Sequence, residues 1–444
     1  MNIALIGTRG VPAKYGGFET CAEELGARLA ERGHRVTVYC RKGFYSPEER
    51  RGRREYRGMS LTFLPELKSR SLETLSHTLL ALIHCLGRGF DRILIFNCAN
   101  SPLAVIPLLF GKKTALHVDG LEWKRGKWSR LGKAYYLFTE WLATKLPVTL
   151  ICDSLEIRRY YGERYGREIS AIPYGAEIQY SRESRLLERF SVEPGGYFLQ
   201  ITRFEPENNP LLAVRAFKGL RTGKRLVLVG GVKYRTEYSD AIEREAERAT
   251  SVCLNGAGAR PAGNHKSLAP GACEKDLSEN RPVVTEAAPS LSAERTPASA
   301  LEGDRTSAMN DSGRVLLPGC VYDPDLRREL LTNAFAYIHG NEVGGTNPAL
   351  LEAMAAGSFV ISRDVPYNRE VLRDAGIYFN KDAGDLRSKM EWALAHEAEL
   401  SACREKARMI IRDRYDWRRV AAAYERLFIG MGSRTKKKRL ASVR

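Results

Sequence analysis

Short runs of aliphatic and β-branched residues recur along the chain, each followed by a longer stretch whose apolar positions return at helical spacing. They read "NIALI", 17–32, "RVTVY", "LTFLP", 72–87, "RILIF", 102–109, "TALHV", 130–145, "VTLIC", 154–164 and "EISAIP". Strand-length runs alternating with helix-length ones predict a parallel sheet with helices on both faces. The pattern restarts at "GYFLQIT" and continues through 209–219, "RLVLVGG", 238–248, "GRVLLPG", 324–333, "AYIHG", 348–356 and "SFVIS". The expected fold is α/β: two doubly wound, Rossmann-like domains over 1–175 and 190–400. Their junction falls near "IPYGAE", where Pro173 and Gly175 end the first alternation. Ligands of such sheets bind outside the carboxyl ends of the strands, so the expected site is the cleft between the two domains.

The second domain is interrupted. Residues 249–312 are rich in Ala, Gly, Ser, Pro and Glu and contain no Phe, Trp or Tyr. So little apolar surface does not offset the entropy of ordering, and a disordered insertion is expected. The segment 401–430 reads as closing helices, with Asp416 capping the last one and Trp417, Val420, Ala421, Tyr424 and Leu427 along one of its faces. That face must pack on one of the domains. Residues 431–444 are a basic tail.

Composition narrows the class. A chain of 444 residues with 43% hydrophobic residues is too long for one core and apolar enough for two. Its nine cysteines are scattered, without a C-x-x-C pair or nearby histidines, and read as reduced thiols in a cytosolic protein without zinc. The apolar run at the N-terminus is too short for a signal peptide, and "LLALIHCLG" and "PLAVIPLLFG" are about half the ~18 apolar residues that span a bilayer. Neither export nor a membrane crossing is expected. The net charge of +17 calls for an anionic partner: phosphates, nucleic acid or acidic lipid. The tail "RTKKKRLASVR" and the run "RKGFYSPEERRGRREYRG" hold much of the excess. A nucleic-acid binder would interleave aromatics with its basic runs, and the tail has none.

Two glycine-rich turns carry the candidate chemistry. In "GTRGVPAKYGGFET" the glycines are not spaced as G-x-G-x-x-G, and no acidic residue ends the second strand, which disfavours a dinucleotide cofactor. A long loop ending in Gly16 and Gly17 at a helix start suits a lid reaching across the cleft; the alternative is a turn that needs positive φ at one of the two. In "HGNEVGGTNPALLEAMAAG", Gly344 and Gly345 precede a helix with Pro348 in its first turn. Its free N–H groups and positive dipole end would face a diphosphate. Glu352, one turn in, is placed for a ribose diol or simply favours an early helical turn. "HVDGLEWKRGKW" follows a strand at its carboxyl end, bringing Asp119 and Glu122 into one loop flanked by His117 and Lys124. For each of these a loop or core role is the alternative. "YDPD" at 322–325 resembles a metal-binding D-x-D but reads as a helix cap at Asp323 followed by proline.

"GGTNPALLEAMAAG" followed by "VIS" resembles the donor motif of retaining glycosyltransferases of family 4. "IGTRGVPAKYGGFET", "HVDGLEWKRGKWS", "IPYGAE" and "RFEPENN" resemble a narrower group, the bacterial rhamnosyltransferases of capsule and cell-wall polysaccharide synthesis. The five motifs occur in the family's order, and the resemblance covers roughly 1–248 and 314–430. It implies the GT-B fold, an acceptor on the N-terminal domain, a nucleotide-diphosphate sugar donor on the C-terminal domain, and retention without metal or cofactor. Gly16 and Gly17 would touch the donor phosphates from across the cleft, Arg203 would neutralise the diphosphate, and Gly345, Pro348 and Glu352 would complete the donor site. In a retaining transfer Asp119 or Glu122 would orient the acceptor while the leaving phosphate takes the proton.

The sequence departs from the family twice. Gly344 stands where a glutamate usually faces the transferred sugar, which transfers sugar contacts to Thr346 and Asn347 and suits a 6-deoxy sugar. Asn208 replaces a lysine in the donor-binding loop, with Lys233 as the replacement charge. The expectation is a cytoplasmic rhamnosyltransferase, peripheral on the inner membrane face, passing rhamnose from dTDP-rhamnose to a lipid-linked oligosaccharide. The alternatives are the same machinery with a UDP- or GDP-hexose, or a non-catalytic nucleotide-sugar-binding scaffold.

Overall fold

A computed structural model describes residues 1–13, 16–69, 72–118, 120–126, 128–232, 235–256 and 313–431. In the N-terminal half the order is β1 (Asn2–Ile6), α1 (Gly17–Glu31), β2 (Arg35–Arg41), α2 (Pro47–Gly52), β3 (Glu55–Tyr56), β4 (Met59–Leu64), α3 (Glu73–Leu86) and β5 (Arg92–Phe96). It continues with α4 (Val105–Leu109), β6 (Thr114–His117), α5 (Arg130–Lys145), β7 (Thr149–Cys152), α6 (Leu155–Tyr165) and β8 (Ser170–Ala171). These strands form one sheet in the order β3-β4-β2-β1-β5-β6-β7-β8, parallel except for the β3–β4 pair. The central strands are buried on both faces, as their unbroken apolar runs require.

The C-terminal half begins with β9 (Tyr197–Ile201), α7 (Pro210–Lys218), β10 (Arg225–Val229), α8 (Glu237–Gly256), β11 (Val315–Gly319), α9 (Pro324–Thr332) and β12 (Ala336–His339). It closes with α10 (Pro348–Ala356), β13 (Val360–Arg363), α11 (Pro366–Leu372), β14 (Gly376–Phe379), α12 (Ala383–Ala395), α13 (Glu397–Arg414) and α14 (Trp417–Gly430). Its sheet, β11-β10-β9-β12-β13-β14, is wholly parallel. Two doubly wound sheets in tandem are what the alternating runs predict.

The last helix ties the halves together. Asp416 caps α14 by accepting from the N–H groups of Arg418 and Arg419, and the helix packs on α1 of the N-terminal sheet. Trp417, Tyr424 and Phe428 are buried there, each burial stabilising by about 1.5–3 kcal/mol. Glu425 pairs with Arg32 and His34, and Arg92 Nε donates to the carbonyl of Phe428 at 2.5 Å. One apolar core therefore runs from β1 and α1 through α14 to α10 and α13.

Several local readings change. The basic run read as a loop contains α2, started by a Ser46–Glu49 capping box, and β3; Arg57 there is paired with Glu23 and Glu24. The predicted helix at 102–109 divides into 3-10 turns over 98–104 and the short α4, because Pro102 and Pro107 interrupt the ladder. The main chain of α8 runs on to Gly256, so the first part of the expected insertion 249–312 is helical. Residues 257–312 and the tail 432–444 lie outside the described residues. Among the described residues six cysteines are free, whereas Cys320 is disulfide-bonded, which corrects the reading of all nine as reduced thiols.

Candidate active site

The carboxyl ends of the two sheets meet. Gly120, just past β6, packs on the Cα of Gly344 in the loop after β12. Asp153, just past β7, lies over Gly345, and the Thr346 hydroxyl donates to the Asp153 carbonyl. Gly17 opens α1 beside Pro348, with a Cβ position only 3.1 Å from the proline Cγ, and Gly16 before it holds φ +96. The two glycine-rich turns of the sequence thus face each other across one cleft. A side chain at either Gly17 or Gly345 would fill the contact.

On the C-terminal-domain side of the cleft the cradle differs in detail from the sequence reading. The first turn of α10 does not offer free N–H groups: Pro348 has none, Ala349 donates to the Asn347 side chain at 2.9 Å, and Leu350 donates to the Asn347 carbonyl at 3.1 Å. The N–H groups of Gly344, Gly345, Thr346 and Asn347, just ahead of the helix, have no partner among the described residues. Successive unpaired amides next to a helix dipole form an anion-binding concavity. The same contacts bear on two sugar-binding assignments: the Thr346 hydroxyl donates to Asp153 and is turned away from a sugar, whereas Asn347 caps α10 through Oδ1 alone and keeps its Nδ2 for another acceptor.

Glu352 lies farther along α10, half-buried, with one carboxylate oxygen 2.5 Å from a guanidinium nitrogen of Arg327 on α9. Arg327 orients the carboxylate and leaves its second oxygen for another hydrogen bond. Arg203, two residues past β9, is half exposed and makes only a loose pair, 3.6 Å, with Glu205. That pair is readily given up to a more strongly charged ligand.

Asn208 is buried and has a different task from the lysine it replaces. Its Nδ2 donates to the Arg203 carbonyl at 3.0 Å, its Oδ1 accepts from Asn341 at 3.0 Å, and its carbonyl accepts from Gln200 at 2.9 Å. Asn209 adds a bond to the carbonyl of Gly340 at 2.8 Å. These bonds lock the turn carrying Arg203 to the loop that leads into the amide cradle. Asn208→Ala leaves buried partners unpaired and is expected to cost about 1–3 kcal/mol. Asn208→Lys is expected to destabilise as well, because an ammonium cannot accept from Asn341. Thermal melts of both variants check this, and an unchanged midpoint in Asn208→Lys contradicts the strut.

On the N-terminal-domain side, Glu122 is buried and both its oxygens are engaged: Oε1 with Arg125 Nε at 2.6 Å and Oε2 with Trp128 Nε1 at 3.0 Å. It braces its loop and is not presented to a substrate. His117 is fully buried, stacked between Phe96 and Tyr174, and burial lowers its pKa to about 3. It stays neutral at physiological pH. Asp119 and Lys233 lie outside the described residues. Asp323 caps α9, accepting from the N–H groups of Asp325 and Leu326. Among the described residues no group of three or more His, Cys, Asp or Glu side chains is placed to hold a metal ion. Sequence reasoning passed over Asp153, whose short motif "ICDS" gives no sign that it comes to the cleft, and placed "IPYGAE" at the junction without singling out Tyr174.

Residues 15–180 match the family model Glycosyltransferase Family 4, and residues 323–426 match the model Glycosyl transferase-like. Each half of the chain thus matches a glycosyltransferase model, and the chain has the GT-B fold. Among solved structures it is similar to sucrose-phosphate synthase from Thermosynechococcus elongatus, with TM-score 0.68 and 15% identity over 97% of this chain and 99% of that one. It is similar to Anabaena HepE in complex with UDP-glucose, with TM-score 0.68 and 13% identity over 97% and 99%. A third such structure is WaaG, a glycosyltransferase involved in lipopolysaccharide biosynthesis, with TM-score 0.62 and 15% identity over 96% and 100%. A comparison with curated proteins finds no significant match. In this GT-B chain the amide cradle belongs to the C-terminal domain and the Gly16–Gly17 turn to the N-terminal one.

Proposed function

We propose that this protein is a retaining glycosyltransferase that moves a sugar from a nucleoside-diphosphate donor to a lipid-linked oligosaccharide at the inner membrane face. The observation that carries the reading is the row of unpaired amides from Gly344 to Asn347 set opposite the Gly16–Gly17 turn. The donor diphosphate sits on those amides, Arg203 and Lys233 neutralise it, and the free oxygen of Glu352 accepts from the ribose. Asp119 orients the acceptor hydroxyl. The bond from the sugar C1 to the phosphate oxygen breaks, the acceptor oxygen bonds C1 on the same face, and its proton passes to the departing diphosphate. Catalysis then rests on positioning and charge neutralisation, with no metal or cofactor.

For the sugar, the motif resemblance supports rhamnose from dTDP-rhamnose, while the engagement of the Thr346 hydroxyl leaves the Asn347 Nδ2 as the remaining one of the two expected sugar contacts. A UDP-hexose donor is the second reading, favoured by the likeness to HepE in complex with UDP-glucose. The test incubates the protein with each labelled donor, a bacterial lipid extract and EDTA, and follows label into the lipid phase. Transfer from one donor supports the reading; donor binding without transfer from any of them supports a scaffold. Glu352→Ala is expected to weaken donor binding about tenfold or more, the loss of one hydrogen bond to a charged group. Unchanged affinity in a titration with the nucleoside diphosphate removes the ribose role.

A further inference from the structure

Among the described residues, eight of the fifteen exposed large hydrophobic ones lie on α3, on α4 with its C-cap Phe110, and on α5. These helices share one face of the N-terminal sheet. Each connects to a strand farther along the sheet in the same direction, β4 to β5, β5 to β6 and β6 to β7, whereas α1 runs the opposite way and is covered by α14. The 3-10 turns at 98–104 touch both α3 and α5 and join them into a continuous surface. Leu131, Phe138 and Trp141 form a stripe along α5, the two aromatic rings 6.0 Å apart, and Leu80 and Ile83 stand out from α3.

The unpaired charges at the ends of these helices are mainly cationic, and the exposed Glu163 and Glu168 beyond them, on and just after α6, are paired with Arg159 and Arg158. Arg88, Lys113, Arg130 and Lys145 are exposed at the ends of its helices and form no ion pair among the described residues. The two carboxylates on the helices themselves are withdrawn: Glu73 pairs with Arg41 at 2.9 Å, and Glu140 is buried, accepting from Tyr160 and Tyr165. Asp91, at the start of β5, is held by the backbone N–H of Asn2 at 2.7 Å. Apolar side chains that include Trp and Phe, ringed by unpaired cations, suit the interface of an anionic bilayer. Arg130 directly follows the loop whose Gly120 lies on Gly344, so the surface begins at the rim of the cleft.

We propose that the α3–α4–α5 face docks this enzyme on anionic lipid headgroups, which places the saccharide end of a membrane-anchored acceptor at the cleft; the acceptor part rests on the function proposed above. Flotation of the full chain with vesicles of phosphatidylcholine alone, or mixed with phosphatidylglycerol, tests it. Binding is expected only to the mixed vesicles and to weaken with salt. Phe138→Glu with Trp141→Glu is expected to lower binding at least about tenfold, and Lys113→Glu with Lys145→Glu to do the same and flatten the salt dependence. Calorimetry with the nucleoside diphosphate, unchanged in both double variants, shows that they remain folded. Flotation of the aromatic variant like the native protein, as anchoring by the basic tail would give, overturns the proposal. So does native protein that ignores mixed vesicles, or a native dimer in light scattering that the aromatic variant dissociates. Vesicle binding without donor binding leaves the surface standing and removes the proposed function instead.

Discussion

Arg203→Ala is expected to lower the rate of sugar transfer by about 10²–10³-fold in a protein that stays folded. The guanidinium stands at the carboxyl end of β9 on a turn fixed by the buried Asn208. Negative charge grows on the diphosphate as the sugar–phosphate bond breaks, and deleting one preorganised donor aimed at such charge typically costs this much. Binding of the intact donor falls less, because the ground-state diphosphate carries less charge at the breaking bond. Arg203→Lys is expected to recover part of the loss: an ammonium keeps the charge without the fork geometry. Release of nucleoside diphosphate measures the rate, and calorimetry with the donor measures the affinity. Equal losses in both place Arg203 in simple donor binding; no loss in either removes it from the site.

Gly345→Ala is the second change with a large expected effect. A methyl group there would lie 1.7 Å from Oδ1 and 2.4 Å from Cγ of the buried Asp153, so the loop or the carboxylate must move. Overpacking of this kind costs about 1–3 kcal/mol, and a shift of about 1 Å in a positioning element costs about 10²-fold in rate. The variant is therefore expected to lose transfer by about that factor while keeping most of its thermal stability. Because the clash has one named partner, combining Gly345→Ala with Asp153→Ala is expected to restore much of the rate. If the double variant stays as slow as the single one, glycine is required there for the backbone itself and the contact across the cleft is secondary.

The architecture was legible because its signals are local. "NIALI", "RILIF" and "RLVLV" are unbroken apolar runs that only a strand buried on both faces uses, and Asp416 and Asp323 cap their helices as their positions imply. The run around α2 read as a loop because its charges hid a helix of only two turns. At the site, the glycines revealed where backbones approach, since a missing side chain marks the same need in sequence and structure. The polar residues misled for a common physical reason. Glu122, Thr346 and Asn208 have chemistry suited to a substrate, but each finds its partner inside the protein, and two of those partners, Asp153 and Asn341, are remote in sequence. A buried polar group is satisfied by whatever the fold brings to it, and motif spacing does not encode that.

The central claim is that the cleft holds a nucleoside-diphosphate sugar on the amides of Gly344–Asn347 and on Arg203. Calorimetric titration with dTDP-rhamnose, UDP-glucose and GDP-mannose in the presence of EDTA tests it most directly, with Arg203→Ala alongside. Saturable binding of one donor by the native protein, weakened in the variant, is the expected result; failure of all three donors to bind, or binding that Arg203→Ala leaves unchanged, contradicts the account.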